Sequence, residues 1–258
     1  METIESIQNK QVKEWKKLLT RKGRKKQQKY IIEGLHLVEE AVKARQSIDA
    51  LLVREDKLDE YQHVIRTFEG AGRLITITED ISAALSDAVT EQGILAVMNT
   101  KESLSELAAQ KPLLLLDGVQ DPGNLGTLIR TADAAGFEGV VIGTGSVDLY
   151  NPKALRSAQG SHFHLPVVHD DLKGWVQDLK AREIPVYGTA LDKEARSYRQ
   201  VNPSAQFALI VGNEGKGVSD ELLRETTCNL YIPIIGQAES LNVAIAAGIL
   251  MFSLYNPS

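Results

Sequence analysis

Strand-length apolar runs and helix-period stretches alternate along this chain in two blocks. In the first block, residues 30–33, 48–53, 73–78 and 93–98 are rich in Ile, Leu and Val and read as strands. Gly34 opens a helix whose apolar positions are Leu35, Val38, Ala41 and Val42, and further helical patterns lie between the later strands. The block ends near Thr100. The second block begins with Leu113-Leu-Leu-Leu116, a continuous apolar run of the kind found in a strand covered on both faces. Similar runs follow at 139–142, 185–187, 207–211 and 230–232, with helical segments between them. Strands alternating with helices predict an α/β fold, a parallel sheet with helices on both faces.

The pattern sets four provisional boundaries: a basic N-terminal arm over 1–29, a small α/β domain over 30–100, a linker over 101–111, and a larger α/β domain over 112–258. The linker is charged, carries spaced Leu residues, stops at Pro112 and is expected to be a short helix. The last helix, 240–254, is apolar nearly all round, with Ala244, Ala247 and Gly248 forming a small-residue face. Such a helix needs cover on most sides, which predicts packing inside the fold and against a second subunit in a homodimer.

Charge changes the picture more than composition does. The chain has 258 residues and a net charge of −5. Ten Lys or Arg against three Glu give the first 30 residues +7, so the remainder carries −12. A basic stretch of this density attracts phosphate backbones without reading sequence; the alternative is a solvated, frayed terminus. The single Cys228 excludes a disulfide within one chain and a cysteine zinc cluster, and fits a reducing compartment. The longest apolar stretch, 243–252, is half of the roughly 20 residues a membrane helix requires. With no apolar segment behind the basic N-terminus to make a signal peptide, the expected location is cytoplasmic, with no membrane partner.

Three segments of the second block place polar side chains where a strand hands over to a helix. They are Asp117-Gly-Val-Gln-Asp-Pro-Gly-Asn-Leu-Gly-Thr-Leu-Ile-Arg130, Val211-Gly-Asn-Glu-Gly-Lys-Gly217 and Ile232-Pro-Ile-Ile-Gly-Gln-Ala-Glu-Ser-Leu-Asn-Val243. Ligands of open α/β sheets bind outside the carboxyl ends of the strands, so three such corners predict one composite site. In the first, Asn124 sits where an N-cap is expected, Leu125, Leu128, Ile129 and Ala132 form the buried stripe, and Gly136 ends the helix. Arg130 lies outside that stripe and is a candidate phosphate ligand, because guanidinium presents paired donors in a fixed fork. Glu214 lies in a glycine-rich turn that is neither a P-loop nor a dinucleotide fingerprint. Ser240 and Asn242 open the last helix, and both can serve as caps. His162, His164 and His169 lack the carboxylate or cysteine spacing of a metal site, so no metal is expected.

Asn124-Leu-Gly-Thr-Leu-Ile-Arg130, Gly212-Asn-Glu-Gly-Lys-Gly217 and the 232–243 segment closely resemble the three motifs of the SpoU/TrmH family of RNA 2′-O-ribose methyltransferases, a branch of the SPOUT superfamily. The resemblance covers about 113–254, with the motifs in order and correctly spaced; residues 30–98 more weakly resemble the family's RNA substrate-binding domain. It implies S-adenosyl-L-methionine as methyl donor, an RNA 2′-hydroxyl as acceptor, a deep trefoil knot in the C-terminal domain, and a homodimer formed through that domain. By motif position it implies catalytic roles for Asn124, Arg130, Glu214, Ser240 and Asn242. It likewise implies cofactor contacts from Gly212, Ile232 and Leu241, with Thr189 and Ala190 as additional contacts after the Val186-Tyr187 strand. The N-terminal domain and basic arm favour ribosomal RNA as partner, with transfer RNA as the alternative.

Methyl transfer from a sulfonium to oxygen is an in-line displacement that needs alignment and removal of a proton from a weakly acidic alcohol. Arg stays protonated at pKa values above about 12, so Arg130 is expected to clamp a phosphate and stabilise the developing alkoxide. A phosphate oxygen or water is then the proton acceptor. Two competing readings are a non-catalytic RNA-binding relative and a small-molecule enzyme on a Rossmann-like sheet. The intact polar set disfavours the first, and the missing dinucleotide fingerprint disfavours the second.

Overall fold

Alternation along the strands of the N-terminal part puts apolar side chains on both faces, so its sheet needs helices on two sides. The computed structural model describes residues 2–100, 107–191 and 194–255. These fall into two compact units, Met1–Glu102 with Asp148–Phe163, and Ser103–Val147 with His164–Ser258.

In the first unit, strands β1 (Glu2–Ile4), β2 (Lys29–Glu33), β3 (Ile48–Arg54), β4 (Arg73–Ile77) and β5 (Ile94–Asn99) form a mixed sheet of order β1-β4-β3-β5-β2. Strand β4 runs parallel to β1 and β3, while β5 is antiparallel to β3 and β2. Ile32, Leu51, Val53 and Ala96 pack on one face with helices α3 (Leu35–Lys43), α4 (Gln62–Phe68) and α7 (Pro152–Ala158). Ile31, Ala50, Leu52 and Val97 pack on the other with α1 (Lys10–Lys17) and α5 (Glu79–Leu85).

Two expectations change here. Residues 2–29 are not a free arm: β1, α1 and α2 (Arg21–Gln27) are integral to the unit, and Ile4, Val12, Trp15 and Leu18 are buried in its core. Of the basic residues, Arg24 is 4% exposed, donates from Nη2 and Nε to Asp148 Oδ2 at 2.7 and 2.9 Å, and holds the Leu18 and Leu19 carbonyls. Nor does the contact division follow the boundary at 112, because residues 148–163 cluster with the N-terminal unit through that ion pair and through Leu155 and Phe163.

The second unit contains β6 (Leu113–Asp117), β7 (Gly139–Ile142), β8 (Val167–His169), β9 (Val186–Thr189), β10 (Arg196–Ser197), β11 (Ala208–Gly212) and β12 (Cys228–Tyr231). All neighbours are parallel, in the order β10-β12-β9-β11-β6-β7-β8. Leu113 and Leu115 join a core with Val176 and Leu179 of α8 (Leu172–Ala181) and Leu222 of α9 (Asp220–Glu225). Leu114 and Leu116 point to the opposite face and are equally buried. Helix α6 (Pro122–Ala135) packs against α10 (Val243–Leu254). As the spacing predicts, Leu125, Leu128, Ile129 and Ala132 are buried and Gly136 ends α6 in the left-handed region.

Smaller corrections concern the ends of elements. Residues 101–106 of the expected linker helix lie outside the described residues, and 107–111 are not helical. There the Ala109 and Lys111 amides each donate to the Glu138 carboxylate at 2.8 Å, drawing the segment onto the unit while Leu107 and Ala109 enter its core. The last helix starts at Val243 rather than 240, because Asn242 caps it. It is also not buried all round, since Ile245 and Phe252 are 56% and 62% exposed. His162 lies in a 3-10 turn, Ser161–Phe163, with His164 just beyond it.

Candidate active site

The carboxyl ends of β6, β9, β11 and β12 lead into the loops that carry the three polar segments. The second and third segments, with the loop after β9, line a cleft of about 710 Å³ that includes Thr189, Ala190, Gly212, Glu214, Ser240 and Asn242. A smaller, mainly apolar recess of about 200 Å³ adjoins it, lined among others by Leu230, Ile232, Leu241 and Leu250. Thr189, Ala190, Ser240 and Leu241 line both.

The helix of the first segment begins with Asp121 and Pro122, not with a cap at Asn124. The Asp121 side chain accepts the Asn124 amide at 2.9 Å, and Pro122 fills the first helical position, where no N–H is needed. Asn124 is therefore the third residue of α6, which frees its side-chain amide for the site. The Asp-Pro pair was the signal for this cap in the sequence.

The second segment is folded by Asn213, which the motif reading passed over. Its Oδ1 accepts the Gly215 and Lys216 amides at 3.0 Å, and its Nδ2 donates to the Gly118 carbonyl at 2.9 Å. An Asn at the head of a glycine-rich stretch is a turn signal, because its side chain satisfies backbone amides two and three residues on. Gly212 is required by close approach: a Cβ there would stand 2.0 Å from the Gly217 carbonyl carbon. Asp117, at the end of β6, accepts the Ser219 amide at 2.8 Å and fixes the far side of the loop.

These turns bring side chains distant in sequence into one hydrogen-bonded chain. Glu214 accepts from the Gln120 amide at 3.1 Å, and from the Asp121 amide and Asn124 Nδ2 at 3.0 Å each. Asn124 Oδ1 in turn accepts from Asn242 Nδ2 at 2.9 Å. Asn242 Oδ1 caps α10 by accepting the Ala244 and Ile245 amides at 2.9 and 3.3 Å. Desolvation pushes the Glu214 carboxyl upward, but the donors from Asn124, Asp121 and Gln120 outweigh it and hold its pKa below the ordinary value. Glu214 is thus an anion whose charge is spent on the start of α6 and on Asn124.

Of the ten residues singled out in the sequence, Thr189, Ala190, Gly212, Glu214, Ile232, Ser240, Leu241 and Asn242 line the cleft or its recess. Asn124 joins them through Glu214 and Asn242. Arg130 does not line either cavity; it stands nearly two turns along α6, exposed, and in no side-chain hydrogen bond or ion pair among the described residues. The Thr189 hydroxyl donates to the Ile210 carbonyl, and the Ala190 amide to the Leu230 carbonyl, so neither proton is available to a ligand. Among the described residues, no trio of His, Cys, Asp or Glu is close enough to hold a metal ion.

A sulfonium nucleoside needs a flat apolar slot beside a polar, backbone-rich wall. The recess and cleft provide both, and the space a Cβ at Gly212 would fill is taken by the returning loop, so backbone forms that wall. The arrangement suits a bound S-adenosylmethionine.

Known proteins match nearly the full length of the chain. The sequence model of the SpoU rRNA Methylase family matches residues 111–252, and that of the MRM3-like substrate binding domain matches residues 9–96. A relative from Bacillus subtilis, the 23S rRNA (guanosine(2553)-2′-O)-methyltransferase RlmP, is 49% identical over 98% of this chain and 99% of its own length. The crystal structure of an AdoMet-bound rRNA methyltransferase from Sinorhizobium meliloti superposes with a TM-score of 0.88 at 29% identity, covering 98% of this chain and 97% of that one. The SpoU methyltransferase AviRb from Streptomyces viridochromogenes, in complex with AdoMet, gives a TM-score of 0.85 at 25% identity, covering 96% and 97%.

Proposed function

The chain belongs to the SpoU rRNA Methylase family, and on that premise we propose a role for each polar residue of the cleft and a particular nucleotide as target. It is an S-adenosylmethionine-dependent enzyme that methylates ribose 2′-hydroxyls of ribosomal RNA. The proposed target is the 23S rRNA guanosine for which the Bacillus subtilis relative is named, supported by 49% identity over nearly the full length of both chains.

The observation that carries the residue assignment is the chain Glu214–Asn124–Asn242, three side chains from three segments joined at 3.0 and 2.9 Å, of which Glu214 and Asn242 line the cleft. S-adenosylmethionine, when bound, supplies an electrophilic methyl group. Backbone of Gly212, Ile232 and Leu241, with the apolar walls at Thr189 and Ala190, would hold it. Asn124 and Asn242 are restrained by each other and present their remaining polar atoms to the ribose. The Ser240 hydroxyl, in no hydrogen bond among the described residues, is free to join them. Glu214 acts through Asn124, as a positioning residue. Arg130 clamps a neighbouring phosphate and stabilises the alkoxide as the proton leaves to a phosphate oxygen or water, since guanidinium itself cannot serve as base.

Three further features belong to this reading. The exposed Ile245 and Phe252 on α10 support a homodimer, because an apolar stripe of this kind is otherwise left in water. The adjacency of β6, β11, β9 and β12, and the gathering of loops 189–191, 212–218 and 240–243 on one cleft, support the family's knotted arrangement. A ribosomal RNA substrate, with no helix long and apolar enough to cross a membrane among the described residues, supports work in the cytoplasm.

Labelled methyl transfer to 23S rRNA, with 2′-O-methyl mapping of the product, tests the target. A mark at that guanosine and none on transfer RNA is expected; a mark elsewhere overturns the nucleotide assignment. Arg130→Lys keeps the charge and loses the fork, so at least a tenfold fall in turnover is expected, roughly the worth of one charge-assisted hydrogen bond. Full activity in that variant would remove Arg130 from its proposed role.

A further inference from the structure

The dense positive charge of the N-terminus is organised by folding. Helices α1 and α2 form a hairpin joined by a short turn, in which Thr20 caps α2 by accepting the Gly23 amide at 3.1 Å. Gly23 lets the helices close tightly: a Cβ there would stand 1.9 Å from the Lys17 carbonyl oxygen. Gln27 ties them again, donating to the Glu14 carbonyl at 2.9 Å. The hairpin is pinned from beneath by Val12 and Trp15 in the sheet core and by the buried Arg24–Asp148 pair.

What remains outside is almost entirely cationic. On α1, Lys10, Lys13 and Lys16 are exposed and in no ion pair among the described residues; Lys17 alone is paired, with Glu14 at 2.6 Å. On α2, Arg21, Lys22, Lys25 and Lys26 are all exposed and likewise outside any ion pair. Elsewhere exposed lysines are commonly matched, as Lys173 is with Glu221 and Lys180 with Glu225. Seven unmatched cations on two short, rigid helices are therefore a local feature of a chain whose net charge is −5.

We propose that the outer face of the α1–α2 hairpin is a pre-formed docking ridge for the sugar-phosphate backbone of the RNA substrate. The inference rests on the RNA methyltransferase reading and adds to it where the RNA is held. Phosphates are the partner that suits unmatched Lys and Arg, since each contact releases condensed counterions. An anionic membrane fits less well, because the apolar residues of α1 that would enter lipid, Val12 and Trp15, are 1% and 3% exposed and already committed to the core. The ridge lies within the segment matched by the substrate-binding domain model. Because the helices are folded in advance, no ordering cost is spent at docking, unlike a disordered basic tail. Lysines reading only phosphates add affinity without choosing the nucleotide.

The test compares two matched double variants of the full chain, Lys22→Gln with Lys26→Gln on the ridge, and Lys173→Gln with Lys180→Gln on α8. Affinity for a 23S rRNA fragment is measured from about 0.05 to 0.2 M salt, alongside S-adenosylmethionine affinity and unfolding temperature. The ridge variant should lower the slope of log K against log salt by about 1.5, at 0.7–0.9 per lost contact, with cofactor affinity held; the α8 variant should leave the slope unchanged. Equal slopes for ridge variant and wild type, or an equal drop in the α8 variant, overturns the proposal. Loss of binding to phosphatidylserine vesicles without loss of RNA affinity also overturns it, in favour of a lipid surface. If the wild-type protein methylates no RNA at all, the enzymatic reading fails instead.

Discussion

Replacing Glu214 by Gln changes one atom's hydrogen-bonding character and nothing in volume, so its effect isolates the carboxylate. Oε1 accepts two bonds, from the Asp121 amide and Asn124 Nδ2, and Oε2 accepts one, from the Gln120 amide. A glutamine keeps its single oxygen where two donors converge and turns its own N–H₂ toward the Gln120 N–H. One charge-assisted bond, worth about 1.5–3 kcal/mol when intact, becomes a donor–donor contact. Glu214 and Gln120 are exposed and water replaces part of the loss, so about 1 kcal/mol of stability should disappear. Turnover should fall further, by roughly ten- to a hundredfold, because a small displacement of Asn124 carries to Asn242 and to the ribose they position. Chemical denaturation, cofactor titration and labelled methyl transfer measure the three quantities separately. The pH dependence follows from the same bonds. A carboxyl held below its unfolded value stabilises the fold above that value, and the contribution is lost as pH falls through the lowered folded value. Wild type should therefore lose its advantage over Glu214→Gln from roughly pH 4.5 downward. A variant equal to wild type in both stability and turnover at pH 7 would refute the reasoning.

Three other perturbations address separate links. Asp121→Ala removes the N-cap of α6 and should cost about 1 kcal/mol, seen as a lowered unfolding temperature; an unchanged transition would mean that water replaces the cap. Gly212→Ala places a methyl group 2.0 Å from the backbone of Gly217, so the loop must move, and S-adenosylmethionine affinity should fall about a hundredfold or more in calorimetry. Phe252→Glu places a charge on the exposed stripe of α10 and should yield monomers in analytical ultracentrifugation, whereas an unchanged mass would place any dimer contact elsewhere.

Strands that are buried on both faces announce themselves. Leu113-Leu-Leu-Leu116 can be little else than a covered strand, and the corners after such strands single out Glu214, Ser240 and Asn242 as candidates in the sequence itself. The N-terminal helices were harder to see, because their burial rests on only Val12, Trp15 and Leu18 among ten cations. Sparse apolar residues at helical spacing are easily outweighed by charge in any reading of composition, yet they decide which side of α1 faces water. Asn124 was misplaced by three residues for a different reason: Asp121 and Asn124 are both good caps, and only the backbone path selects between them.

Local order in the chain determined the strand and helix alternation, the end of α6 at Gly136, and the residue types available for chemistry, since propensity, capping and alternation act over a few neighbours. Tertiary structure alone decided that Glu214, Asn124 and Asn242 touch, that Arg24 is a buried partner of Asp148 and no surface cation, and that residues 148–163 belong with the N-terminal unit. Those contacts span 90 to 124 positions, and no local preference encodes which distant groups meet. Packing within each unit and the directions of its hydrogen bonds make that choice.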